Sequence, residues 1–163
     1  MCFQGFYTMT DKEFFMSAAL REAEIAYSLG ETPIGAVIVK DGEIIAKAHN
    51  LRETGKNVLY HAELLAIDAA CRALGGWRLH KCDLYVTLEP CIMCSGAISQ
   101  ARIKNLYFGA SDQTRGAVLS ADTDAFRLFP NTNCEGGILL EECSQILKNF
   151  FKELRSGNIN TDK

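Results

Sequence analysis

The alternation of apolar and polar residues predicts four helices and several short strands. A capping box of Thr10 and Glu13 begins the first helix, and Gly30 ends it. Two apolar runs flank Asp41-Gly42, which is a strong hairpin signal. The predicted helices cover 10–29, 61–74, 91–101 and 141–155, and the predicted strands cover 33–40, 43–49, 84–88 and 105–109. No element is predicted over 111–135.

The order of these elements indicates an α/β domain. Strand, helix and strand over 84–109 form a βαβ unit, which implies a parallel pair with a right-handed crossover. The preceding hairpin is antiparallel, so the sheet should be mixed. On the last helix, Leu147, Phe150, Phe151 and Leu154 share one face and fit a core stripe.

Length and composition narrow the class of protein. A chain of 163 residues predicts one domain over 1–163, with 1–9 as a disordered extension and 156–163 as a loose tail. Its 48% hydrophobic and 23% charged content excludes disordered, collagen-like and coiled-coil chains. The sequence has no apolar run near the ~18 residues that span a bilayer and no signal-peptide pattern, so we expect a cytoplasmic protein with no membrane partner. The net charge of −3 means that nucleic-acid binding would need a local basic patch.

Seven cysteines are an odd number, and in a reducing compartment metal ligation or burial is favoured over disulfides. Cys91 and Cys94 lie three residues apart at a predicted helix start, where the positive end of the helix favours the thiolate. We expect the other five to carry no metal: Cys2, Cys71, Cys82, Cys134 and Cys143. His61, which begins another predicted helix, supplies an imidazole. One imidazole and two thiolates suit zinc and leave a fourth tetrahedral position for water.

Glu63 distinguishes a catalytic site from a structural one. Residues two apart in a helix interior diverge by about 200°, but at the first turn both side chains can reach past the helix end. A carboxylate there can take a proton from zinc-bound water and pass it to a leaving nitrogen. The alternatives are a redox pair or half of a structural zinc site. A structural site would need a fourth ligand, for which His49 and His80 are the other histidines.

The combination of H-x-E with P-C-x-x-C is the signature of zinc nucleobase deaminases. More specifically, the chain from about residue 11 to 155 resembles the bacterial tRNA-specific adenosine deaminases. The stretches that carry the resemblance are E-T-P-I-G-A-V-I-V-K-D-G, A-H-N-L-R-E-T, H-A-E, L-Y-V-T-L-E-P-C-I-M-C-S-G-A-I, Y-F-G-A-S-D and F-F-K-E-L-R. The resemblance implies a three-layer α/β/α cytidine-deaminase-like fold, with about five strands in a mixed sheet flanked by helices.

The same resemblance implies roles for individual residues. One zinc ion per chain would be held by His61, Cys91 and Cys94, and Glu63 would move protons while hydroxide attacks C6 of adenine. The implied substrate contacts are Asn50 and the Ala62 N–H on the base, Thr32, Pro33 and Leu88 on the pocket wall, Asp112 on a flanking ribose, and Phe150 or Phe151 against the bound loop. The implied substrate is the wobble adenosine of a tRNA anticodon stem-loop, in particular an arginine tRNA, bound by a homodimer.

Several alternatives stay open at the level of sequence. Asn50 could be a turn residue, Pro33 a loop end, Asp112 a solvated carboxylate and the two phenylalanines core residues. Basic residues that could bind phosphate, or be solvated charges, are Arg102, Lys104, Arg115, Lys148, Lys152 and Arg155. The segment after Asp112 departs from the family pattern, with added Asp122 and Asp124 and with Asn133-Cys134 lacking the usual histidine. The rival functions are deamination of a free base or nucleoside and a non-catalytic, zinc-stabilised RNA-binding protein.

Overall fold

A computed structural model describes residues 8–120 and 131–159. Predictions that concern 1–7, 121–130 and 160–163, including Cys2, Asp122 and Asp124, lie outside the described residues. The strands are β1 (Gly35–Lys40), β2 (Glu43–His49), β3 (Cys82–Leu88), β4 (Asn105–Ala110) and β5 (Asn133–Gly136). The helices are α1 (Asp11–Ser28), α2 (Ala62–Leu74), α3 (Ile92–Ala101) and α4 (Leu140–Arg155).

The five strands form one mixed sheet in the order β2-β1-β3-β4-β5. β1 is antiparallel to both β2 and β3, whereas β3, β4 and β5 run parallel. The hairpin turns at Asp41 and Gly42, whose φ values of 52° and 80° are the two positive angles that a type I′ turn requires. The predicted α/β fold with a mixed, roughly five-stranded sheet is therefore confirmed.

Helices cover both faces of the sheet and complete three layers. Alternate residues of β1 point to opposite faces. Ala36 and Ile38 join the core beneath α2 and α3, and Val37 and Val39 join the core beneath α1 and α4. The helices contribute mainly alanine side chains to these cores, which lets them lie close to the sheet. Among the described residues, no helix is long and apolar enough to cross a membrane.

Most helix boundaries fall within a few residues of the prediction. The Thr10–Glu13 capping box forms as expected, and Gly30 has a φ of 77°. The prediction missed β5, a short edge strand whose side chains are half-buried or exposed. The backbone N–H groups of residues 156–158 donate to carbonyls at the end of α4. The loose tail over 156–163 stays a prediction.

Candidate metal centre and active-site cavity

A cavity of about 500 Å³ opens beside the carboxyl ends of β3 and β4. The helices α2 and α3 both begin at this edge, as expected for crossover connections in an α/β sheet. Its wall includes the following residues: Thr32, Ile34, Asn50, Arg52, His61, Glu63, Leu88, Glu89, Cys91, Ser111, Asp112, Gln113, Thr114, Arg115, Leu147 and Phe151. The fold thus brings both sequence motifs, H-A-E and P-C-x-x-C, to one place.

His61, Cys91 and Cys94 form a cluster with metal-ligand geometry. The His61 Nδ1 atom lies 3.8 Å from the Cys91 Sγ atom and 3.5 Å from the Cys94 Sγ atom, and all three lie within 4.8 Å of one another. In a tetrahedral zinc site with Zn–N near 2.0 Å and Zn–S near 2.3 Å, adjacent N and S ligands are about 3.6 Å apart. Both nitrogen–sulfur separations therefore fit a single zinc ion.

Two helix starts provide the setting for these ligands. His61 and Cys91 are the N-cap residues of α2 and α3 and have extended backbones, so both lie just before the helix rather than within its first turn. Cys94 follows as the third residue of α3 and is fully buried. Both helices direct the positive ends of their dipoles at the cluster, where that potential stabilises thiolate ligands.

The protons of the cluster are shared among its members. Hydrogen bonds from the Cys94 thiol and from His61 lower the pKa of Cys91 to about 4, against the opposing effect of burial. The pKa of Cys94 is raised, because its proton is donated to Cys91 and its surroundings are dry. The hydrogen bond to Cys91 raises the pKa of His61. A divalent ion would displace these protons, so metal uptake should release acid.

Glu63 is a buried carboxylate beside the candidate metal ligands. It lies in the first turn of α2, is 4% exposed and lines the cavity. Burial raises the pKa of Glu63 to about 7. A carboxyl group with a pKa near the working pH can both accept and return a proton, which is what general acid–base catalysis requires.

The structure separates the predicted substrate contacts into two groups. Thr32, Asn50, Leu88, Asp112 and Phe151 line the same cavity as Glu63. Among the described residues, Pro33, Ala62 and Phe150 are not part of its wall, and all three are buried.

Phe150 and Ala62 have different reasons for lying outside the wall. Phe150 is 1% exposed and packs edge-on against Tyr27, so it is a core residue and only Phe151 stays a candidate contact. Ala62 is the first residue of α2, where a backbone N–H has no partner within its own helix. Its side chain is buried, but that position leaves the N–H group a candidate donor.

Six basic residues were candidates for binding phosphate. Of these, Arg115 lines the cavity, whereas Arg102 and Lys104 lie in a separate groove.

Glu89 is a buried carboxylate on the cavity wall that sequence reasoning missed. It is 2% exposed and accepts hydrogen bonds from the backbone N–H groups of Asp112, Val118, Leu119 and Ser120, and from the Ser120 hydroxyl. These bonds outweigh burial and lower the pKa of Glu89. Glu89 thereby fixes the 112–120 loop against the segment that carries the Cys91 ligand. Its place directly before Pro90-Cys91 puts it near the cluster, but no local pattern predicts its hydrogen bonds.

Asp112 closes the first turn of that loop. Its carboxylate accepts from the backbone N–H groups of Thr114 and Arg115, both at 2.9 Å. The half-buried carboxylate therefore has a structural role on the cavity wall. These contacts are compatible with a further contact to substrate, which stays a prediction.

Gly116 gives a direct test of how tightly this loop is packed. A Cβ atom there would lie 2.4 Å from the Asp112 carbonyl oxygen and 2.5 Å from the Glu89 carboxyl carbon. We expect Gly116→Ala to displace the loop, to destabilise the fold by about 1–3 kcal/mol and to lower activity while the metal stays bound. Thermal unfolding and metal content would be measured together. Gly76→Ala is the matched control, because open space surrounds that position, and equal behaviour of the two variants would contradict the packing argument.

Comparisons with known proteins agree with this geometry. The sequence model of the MafB19-like deaminase family matches residues 10–155. The tRNA-specific adenosine deaminase of Bacillus subtilis is 49% identical over 149 residues, covering 90% of this chain and 92% of that protein. The chain belongs to the tRNA-specific adenosine deaminase family. The resemblance found in the sequence is thus confirmed.

Solved structures related to this deaminase family share its fold. One comes from biochemical and structural studies of A-to-I editing by tRNA:A34 deaminases at the wobble position of transfer RNA. It has a TM-score of 0.76 and 46% identity, and the match covers 82% of this chain and 99% of that one. A guanine deaminase from Bacillus subtilis has a TM-score of 0.59 and 44% identity, with coverage of 61% and 64%. The family fold therefore supports deamination of more than one purine.

Proposed function

We propose that this protein is a zinc-dependent hydrolase that converts adenosine to inosine at the wobble position of a tRNA anticodon loop. The observation that carries the proposal is the buried Glu63 carboxylate beside the His61, Cys91 and Cys94 donors in one open cavity. A structural zinc site has no use for such a carboxylate. The substrate is proposed from relatives of 44–49% identity that cover most of the chain and are named tRNA-specific adenosine deaminases.

Zinc is the metal that the donor set favours. One imidazole nitrogen and two cysteine sulfurs at the separations found here suit zinc and would leave a fourth position for water. Zinc bound there would lower the pKa of a water molecule. We expect one ion per chain, held by His61, Cys91 and Cys94.

The chain's own residues handle the proton and the base. Glu63, with a pKa near 7, takes one proton from the attacking water and gives it to the purine ring. It then takes the remaining proton of the added hydroxyl group and gives it to the departing amino group. Asn50 and the Ala62 N–H hold the base, and Thr32, Leu88 and Phe151 restrict it to one plane. Ammonia leaves and inosine remains. Phe150 and Pro33 support this wall from within the core.

The size of the cavity favours a single base that has been flipped out of the base stack. A space of about 500 Å³ accommodates one nucleoside but not a paired stem. Unpaired bases in an anticodon loop can be splayed out at low cost, whereas a duplex must first be opened. Arg115, an exposed residue of the cavity wall, supplies positive charge for a flanking phosphate, whereas Arg52 is paired with Glu53.

We also propose a homodimer in the cytoplasm, with one deaminase domain in each chain. Large apolar side chains are exposed beside His61 and Cys91 and on the 112–120 loop: Leu59 at 52%, Ile92 at 61% and Leu119 at 63%. Burying them in a second copy would remove apolar surface from water. An anticodon loop bound across the two copies, with an arginine tRNA as the natural substrate, follows from the family resemblance.

A substrate panel tests this function. An anticodon stem-loop of an arginine tRNA with adenosine at the wobble position would be offered beside the same stem-loop with guanosine there. Free adenosine, guanine and cytidine complete the panel. We expect inosine and ammonia from the first RNA only. Release of ammonia from guanine alone would instead assign the protein to the free-base deaminases, which share this fold.

A further inference from the structure

Glu31 is a buried carboxylate to which the proposed chemistry gives no role. It follows the turn that ends α1, is 0% exposed, and its backbone N–H donates to the Ala26 carbonyl. A charged group at such a site is costly unless donors surround it. Three donors come from residues 50–54: the Asn50 side-chain amide at 3.2 Å, the Glu53 N–H at 3.2 Å and the Thr54 N–H.

The contact with Glu31 fixes which way the Asn50 amide points. An ionised carboxylate can only accept hydrogen bonds, so Asn50 must turn its NH₂ group toward it. A 180° flip would place the Asn50 carbonyl oxygen against a carboxylate oxygen. Asn50 itself is 5% exposed, lies on the cavity wall, and its backbone N–H donates to Ile34. The amide is therefore oriented before any ligand enters.

We propose that Glu31 is a positioning residue for recognition of the base. It holds the Asn50 amide so that the carbonyl oxygen and the second amide hydrogen are presented to the purine in a single orientation. This inference rests on the proposed function, in which Asn50 contacts the base. Orienting the amide in advance removes an ordering cost that would otherwise weaken binding of the reacting base.

The Glu31→Gln variant is the first test, because it keeps the shape of the side chain and removes its acceptor-only character. Gln can offer its own NH₂ to Asn50, so the amide can adopt either orientation. We expect kcat/KM to fall about 10- to 100-fold, the range of a hydrogen bond to a charged group, with one zinc still bound per chain. Glu24→Gln makes the same chemical change at an exposed position of α1 and should leave kcat/KM unchanged.

A double-mutant cycle separates positioning from a general role in folding. In an Asn50→Ala background, Glu31→Gln should lower kcat/KM less than about threefold, because the residue through which Glu31 acts is gone. An equal loss in both backgrounds would overturn the proposal, as would normal activity of Glu31→Gln. The cycle is run on whichever member of the substrate panel the native enzyme deaminates. If that substrate is a free base, the result contradicts the tRNA assignment, and the cycle still tests the role of Glu31.

A stability measurement tests the contact without any substrate. Asn50→Asp places a second buried carboxylate against Glu31 and should lower the melting temperature. Adding Glu31→Gln to that variant restores a donor–acceptor pair, so the melting temperature should recover. Absence of recovery would show that the two side chains do not act on each other and would overturn the proposal.

Discussion

Replacing Glu63 by Gln should abolish deamination while the metal stays in place. The variant keeps the size of the side chain and its position in the first turn of α2, but it can no longer carry a proton between water and base. General acid–base groups contribute about 10²- to 10⁴-fold to rates, so we expect kcat to fall by about 10³-fold or more. Ammonia release would be followed alongside zinc content.

Stability gives a second readout for the same variant. Burial raises the pKa of Glu63 to about 7 in the folded protein, which is above its pKa in the unfolded chain. Ionisation of Glu63 therefore lowers the stability of the fold above the unfolded pKa. The loss of stability is greatest once pH exceeds about 7. Gln cannot ionise, so Glu63→Gln should unfold at the same temperature as the native protein or a higher one. Activity near the native level would remove Glu63 from catalysis and revive the non-catalytic RNA-binding alternative.

Removal of one metal ligand should have the second large effect. Cys94→Ser leaves two of the three donors, and Cys94 is fully buried, so no outside ligand can easily replace it. We expect zinc content below about one tenth of an ion per chain, loss of measurable deamination, and a lower melting temperature that added zinc no longer raises. Metal analysis and thermal unfolding with and without zinc would be compared.

Cys71→Ser is the matched control for the ligand variant. It makes the same replacement on α2, outside the cluster, where the cysteine is half-buried. Zinc content and activity should match those of the native protein. If both cysteine variants lost metal equally, the assignment of Cys94 as a specific ligand would be wrong.

Local sequence patterns predicted most of the fold and the metal cluster. The Thr10 capping box, the Asp41-Gly42 turn and the Cys91–Cys94 spacing each depend on residues within four positions of one another. Such signals can be recognised from sequence because neighbouring residues create them. The strand β5 lacks an apolar run, since its place is set by pairing with β4, and no local pattern marks it.

The hydrogen-bonding roles of two buried carboxylates could not be predicted for a related reason. Glu31 and Glu89 accept hydrogen bonds from residues 19 to 31 positions later in the chain. Backbone N–H groups occur at every position except proline, so these partners leave no trace in the sequence. Phe150 and Phe151 are adjacent and both fit the apolar stripe of α4, and only packing against Tyr27 places Phe150 in the core.

The N-cap positions of His61 and Cys91 have a consequence for where the lengths of α2 and α3 can vary. α2 and α3 are anchored where they begin, and they extend about 20 Å and 15 Å from that point. Residues added beyond Leu74 or Ala101 lengthen the helices outward and leave the ligands where they are. An insertion before Ala62 or Ile92 would shift an anchor itself. Changes in helix length among relatives should therefore accumulate at the end of the molecule that faces away from the cavity.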